Sequence, residues 1–244
     1  MTSPAVTLAL VLAYIMPSFG VLKRMANARD EVNTAGFKAE GVAQVSPVLA
    51  KDVAGVLGTT WNSGELSLNA SLSVRFPGRC RLELSSPETT KSLVATWANG
   101  KKRVEGGELP ALAVAVEQAC ALLSLKSTEE GATRDAISRH LTSLKVDQKN
   151  IMLARFNGTV SYLIGTKAEG QAQLWVYKDR FLPSRLKFTD EGGTPWDVRF
   201  SDYGSQATGE VWPRVLEIMK GSEPQLRVMI LSADLKADLS AVKF

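Results

Sequence analysis

"LWVYKDRFLPSRLKFTDEGGTPWDVRFSDY", residues 174–203, is the stretch whose reading decides the fold. Its last segment sets Trp196, Val198 and Phe200 against Asp197, Arg199 and Ser201, and the one before sets Leu186 and Phe188 against Arg185, Lys187 and Thr189. Alternation with a period of two sends each set to its own face of a sheet. One face is apolar and the other wet. The question is what the apolar face covers.

The same pattern extends in both directions. Upstream, Leu72, Val74 and Phe76 oppose Ser71, Ser73 and Arg75; Pro77-Gly78 marks a turn, and the return strand sets Cys80, Leu82 and Leu84 against Arg79, Arg81 and Glu83. "SLVATW" and "KRVEGG" form a further hairpin across "ANGK". The later half reads as strands at 151–157, 159–165, 172–178, 184–190 and 196–203, with Asn157-Gly158 as a two-residue hairpin turn. "GEVWPRVLEIMKG" reads as an edge strand that tolerates Pro213, paired with "QLRVMILS" through Gly221-Ser222.

Helical spacing is rarer. Residues 21–34 read as an amphipathic helix with Lys23, Arg24, Arg29, Asp30 and Glu31 off its apolar stripe, running into a first strand, "FKAEGVAQVS". The segment 47–60 reads as a short helix or a loop. Residues 109–125 form a helix with Pro110 at its start and Glu117 as its one charge, so it must be buried or covered. A polar helix follows at 128–144, with Thr128 as N-cap. The class is therefore α+β, mostly antiparallel β. A sheet with one apolar face can close into a barrel, meet a second sheet or accept helices. A strongly curved sheet wrapped around these helices fits the inventory.

The 244 residues are 45% hydrophobic and 22% charged, with a net charge of +4, an ordinary globular balance too weakly basic to argue nucleic-acid binding. The first twenty residues carry no charge; Ala5–Met16 has the length of a signal-peptide core, followed by Pro17 and a small-x-small pattern at Ser18 and Gly20. The expected division is an export signal at 1–20 and one domain at 21–244, with an uncleaved anchor or a misplaced start as the alternatives because the segment has no Lys or Arg before its apolar core. Enzyme readings find little support. There is no nucleophile elbow and no phosphate-cradling glycine loop; the single histidine, His140, reads as a surface residue, and Asp190, Glu191 and Asp197 read as solvated. Neither a metal nor a cofactor is implied. Cys80 on the sheet and Cys120 on the apolar helix can bridge if the helix packs on that face; two buried reduced thiols are the alternative.

The order of "VLKRMANARDEVNTAGFKAEGVAQV", "LSVRFPGRCRLEL", the opening stretch, "WPRVLEI" and "ADLSAVKF" resembles the Lol-type outer-membrane lipoprotein carriers and lipoprotein-sorting proteins, the LolA- and LolB-like family. The resemblance implies an unclosed β-barrel covered by helices on its concave apolar face, receiving acyl chains of lipoproteins or another lipid in the periplasm. With no cysteine after the signal, the chain is more similar to the soluble carrier, a monomer working between inner- and outer-membrane partners. On that reading Leu72, Val74, Phe76, Leu82, Leu84, Leu186, Phe188, Trp196, Val198 and Phe200 line the sheet side. Leu112, Val114, Val116 and Leu122 line the helical cover. Plain core packing is the other role for all of them, and a lipid- or protein-sensing envelope module without transport is the alternative function.

Overall fold

The computed structural model describes residues 15–244. Helix α1 (Ser18–Asp30) leads into β1 (Gly36–Val45), α2 (Pro47–Leu57) and the strands β2 (Leu66–Arg75), β3 (Arg79–Ser85), β4 (Ser92–Ala98) and β5 (Lys101–Glu105). Helices α3 (Pro110–Leu123) and α4 (Ala132–Ser143) follow. The strands β6 (Ile151–Phe156), β7 (Thr159–Gly165), β8 (Gln173–Tyr177), β9 (Pro183–Thr189), β10 (Pro195–Ser201), β11 (Val215–Lys220) and β12 (Glu223–Asp234) complete the described chain.

All twelve strands form one antiparallel sheet in the order β5-β4-β3-β2-β1-β12-β11-β10-β9-β8-β7-β6. The path is economical. From β1 at the centre the chain meanders outward to β5, crosses through α3 and α4 to β6 at the far edge, and meanders back until β12 pairs with β1. β5 and β6 do not meet, so the barrel is unclosed. Curvature follows from one helix: α3 touches β3, β4 and β5 and also β11 and β12. A flat sheet would separate β5 from β11 by about 29 Å, more than the roughly 21 Å length of α3. The sheet must bend around the helix. A bulge at Glu40/Gly41 assists, and a side chain at Gly41 would collide with the Met229 carbonyl.

Several expected elements shift. The first helix starts at Ser18, inside the segment expected as export signal, with Pro17 at its N-cap; most of that segment, residues 1–14, lies outside the described residues. The ambiguous segment is α2, entered through Pro47 and ended by Gly58 in the left-handed region. α4 begins at Ala132 after Gly131, because Gly131 (φ 79°) breaks the chain direction beyond Thr128. β11 is an interior strand: Pro213 falls in the loop before it, where its missing N–H costs no ladder bond.

Candidate functional site

Strand register decides which side chains share a face. Leu72 aligns with Leu82, Leu186 with Val198, and Phe188 with Trp196. Phe200 aligns with Leu216, Leu216 with Val228, and Val228 with Ala43. The two halves of the sheet therefore present one continuous apolar face, and it is the face the helices cover. Leu72, Val74, Phe76, Leu82, Leu84, Leu186, Phe188, Trp196, Val198 and Phe200 are all buried in one cluster with Leu112, Val114, Val116 and Leu122 of α3.

How much room lies beneath the helix? α3 carries Ala111, Ala113, Ala115, Ala119 and Ala121, and the middle of the sheet carries Ala39, Gly41, Ala43 and Ala70. Small residues on both sides allow close approach, and the cavity between them is about 20 Å³, space for roughly one water. Leu72, Leu82 and Val116 line it, together with Ala115, Ala119, Trp212, Leu216, Val228 and Ile230. Val114 and Phe188 instead border an open cleft of about 660 Å³ rimmed by Lys102, Glu117, Lys145 and Asp190. The other nine residues named from the sequence pack in the core and border neither space. The interior is closed.

Two unlike fastenings close it. Cys80 on β3 is disulfide-bonded to Cys120 on α3, with Cα atoms 5.9 Å apart, and the Gly78 N–H at the hairpin tip donates to the Ser124 carbonyl beyond α3 at 2.9 Å. The mid-chain helix is thus covalently part of the wall.

The second fastening joins α1 to the loop 202–214. Trp212 is only 2% exposed and meets the Phe37 ring edge-on, with centroids 5.6 Å apart; Phe37 also lies 6.5 Å from Phe76. The loop is pinned at its base by Arg214, whose Nη1 donates to Asp202 Oδ2 at 2.8 Å. Above it, Arg29 donates to the Val211 carbonyl at 2.9 Å and the Glu210 carbonyl at 3.2 Å. Arg29 is 1% exposed, and its Nε has no partner. Burial lowers its pKa from the ordinary guanidinium value, with Tyr203 and Glu210 pulling it back up. Helical spacing puts Arg29 off the apolar stripe of α1; the returning loop buries it there, and no local pattern announces that contact.

His140 and Asp197 also differ from expectation. His140 is half-buried, linked to Gln118 of α3 with Nε2···Oε1 at 2.8 Å. An amide oxygen only accepts, so Nε2 carries the hydrogen, and burial pushes the ring pKa down to about 4. Asp197 does point to the outer face but is buried there. Arg185 binds both its oxygens at 2.8 and 2.6 Å, and Arg199 adds a contact at 3.0 Å. Burial pushes this carboxyl pKa up, and hydrogen bonds and charge from the two arginines more than offset it, holding it below the usual value. Asp190 accepts from the Trp196 indole and the Thr194 N–H, both at 2.8 Å, ordering a tight turn. Among the described residues there is no group of three or more His, Cys, Asp or Glu side chains placed to hold a metal ion, and no helix is long and apolar enough to cross a membrane.

No family model and no curated protein matches the chain. Among solved structures, a LolA superfamily protein from Nitrosomonas europaea is similar at 10% identity over 92% of this chain and 96% of its own, with a TM-score of 0.46. An outer membrane lipoprotein-sorting protein domain from Vibrio parahaemolyticus is similar at 14% identity over 87% and 90%, with a TM-score of 0.42. A DUF1329 family protein from Desulfovibrio piger is similar at 11% identity over 91% and 92%, with a TM-score of 0.43. The first two carry the family names to which the sequence resemblance points. At these identities and scores they carry no argument about what this chain does, which rests on its own covered apolar face and the two fastenings that close it.

Proposed function

We propose that the chain is an exported periplasmic carrier that shelters lipid or lipoprotein acyl chains between its sheet and its helical cover and delivers them toward the outer membrane. The observation that supports this most is the pairing of one unbroken apolar face with a closing loop, 202–214, held only by non-covalent contacts, the buried Arg29 among them. Each methylene transferred there from water would gain about 0.8 kcal/mol, enough for a chain of ordinary length to displace Trp212. On this reading the small cavity is the space that an entering chain widens. The segment 1–20 is the export signal on this reading, and the domain is the remainder.

The tightness of the same interior favours a second reading, a lipid- or protein-sensing envelope module without transport. Organic extracts of the purified protein, analysed by mass spectrometry, and incubation of the loaded protein with acceptor vesicles separate the two. A carrier yields acyl lipid that moves to the vesicles. Stable binding without transfer supports the sensor, and an extract free of lipid with no uptake of an added fluorescent lipopeptide overturns both.

A further inference from the structure

A sheet that stops short of closure leaves two strands with one unpaired side, and this sheet treats its two edges differently. β5 is guarded: all five residues are exposed, and Lys101, Lys102, Arg103 and Glu105 charge it. Such an edge repels a further strand. β6, at the opposite edge, runs Ile151-Met152-Leu153-Ala154 before its first charge at Arg155.

The backbone of β6 is also correctly presented. Ile151 aligns with Ile164, and the Gly165 N–H donates to the Asn150 carbonyl at 2.9 Å. Hydrogen-bonded pairs alternate along an antiparallel ladder. Met152, Ala154 and Phe156 therefore exchange bonds with β7, and the N–H and C=O groups of Ile151, Leu153 and Arg155 face away from the sheet. Among the described residues no strand other than β7 pairs with β6, and Leu153 is 37% exposed. An added strand would meet apolar side chains on both sides: Ile151 and Leu153 toward the core, and Met152 beside the separate Phe156–Leu163–Trp175 cluster on the outer face.

Charge selects the occupant. Lys149, in the turn just before β6, and Arg155, near its end, flank the apolar run, and neither makes an ion pair among the described residues. The neighbouring acid, Asp147, is occupied by the Lys149 N–H at 3.0 Å and the Asn150 amide at 2.6 Å. A second copy of this chain would set these cations against themselves, whereas opposite charges across strands attract. We propose that β6 is a docking edge for an extended polypeptide partner, apolar along its middle and acidic at both ends, added to the sheet as a further strand. The inference rests on the sheet edge and not on the lipid reading, so each stands without the other.

The test uses the full chain and a fluorescein-labelled peptide, Glu-Val-Val-Val-Val-Thr-Glu, whose seven residues span Lys149 to Arg155. Fluorescence anisotropy should show saturable binding that weakens at least tenfold when alternate peptide nitrogens are methylated, which removes ladder donors and keeps every side chain. Replacing both glutamates by lysine should weaken it similarly, and hydrogen exchange should slow at the Ile151, Leu153 and Arg155 amides. Leu153→Pro should abolish binding. Leu153→Lys, which keeps the backbone donor, should weaken it without altering the thermal melt. Equal binding of the methylated or lysine peptide overturns the proposal, as does protection at β5. Dimerisation of the free chain that Leu153→Pro removes would also overturn it, by naming a second copy as the occupant.

Discussion

The apolar face of the sheet is covered by two regions that differ in how they are held. α3 is apolar nearly throughout, packed through alanines and joined to β3 by a disulfide. The loop 202–214 beneath α1 is held by an aromatic contact, the ion pairs Arg214–Asp202 and Arg180–Glu210, hydrogen bonds from Arg180 to the Tyr203 carbonyl and from the Tyr203 hydroxyl to the Pro183 carbonyl, and one buried guanidinium. A covalent bond does not open by thermal fluctuation, whereas hydrogen bonds each worth about 1–3 kcal/mol do. The difference makes α3 a wall, and on the proposed carrier reading an opening would run through the loop and α1. The mid-chain helix covers the face as its apolar spacing predicts, and the disulfide adds what spacing does not show, namely how it is fastened.

The largest effect that sharpens this contrast is on stability. Cys80→Ser with Cys120→Ser opens a cross-link whose cysteines are 40 residues apart, and the chain-entropy model puts the loss at about 4 kcal/mol. Guanidinium unfolding of the oxidised protein against the double variant measures it. Uptake of an apolar fluorescent dye per folded molecule should stay unchanged. A marked rise would make α3 the moving cover and reverse the comparison.

A smaller effect tests the seam between α4 and α3, where His140 meets Gln118. The folded pKa of about 4 lies below the ordinary histidine value of 6.5. The unfolded chain therefore takes up a proton that the folded chain refuses, and stability is complete above about pH 6.5 and falls as the pH drops toward 4. The loss is at most about 3 kcal/mol. Asp190, Asp197, Glu83 and Glu88 all have lowered pKa values, so their own contributions disappear at still lower pH. His140→Gln should flatten the stability profile between pH 6.5 and 4 in urea titrations. A slope left intact would place the proton elsewhere.

Much of this was legible in the sequence. Alternation alone places Leu186, Val198 and Phe200 on one face, and the register extends that face through Leu216 and Val228. Turn chemistry at Pro77-Gly78 and Asn157-Gly158 marks two hairpins that the structure contains. What was not legible depends on contacts far apart in the chain. Arg29 reads as a surface charge until the loop at 210–211, some 180 residues later, folds over it. Asp197 reads as solvated because its period sends it outward, and only the pairing with β9 brings Arg185 beside Arg199 of its own strand to bury it. Trp212 reads as part of a strand, since Val215, Glu217 and Met219 alternate just beyond it, and it is the loop geometry that turns it inward onto Phe37.

The smallest expected change in stability comes from Arg29→Met, and it bears most directly on the contrast between wall and loop. The substitution removes two hydrogen bonds to the loop carbonyls and also the cost of a buried charge whose Nε has no partner. These oppose one another, and methionine keeps most of the apolar stem, so the net loss should be about 1–2 kcal/mol. The kinetic effect should be larger in proportion. With the buried latch gone, the loop that carries Trp212 keeps its packing and the ion pairs Arg214–Asp202 and Arg180–Glu210, and entry of an apolar dye followed by stopped-flow fluorescence should speed several-fold, while the disulfide variant enters at the parent rate. Unchanged entry in Arg29→Met, with faster entry in the disulfide variant, would show that the loop is the fixed side and α3 the mobile one.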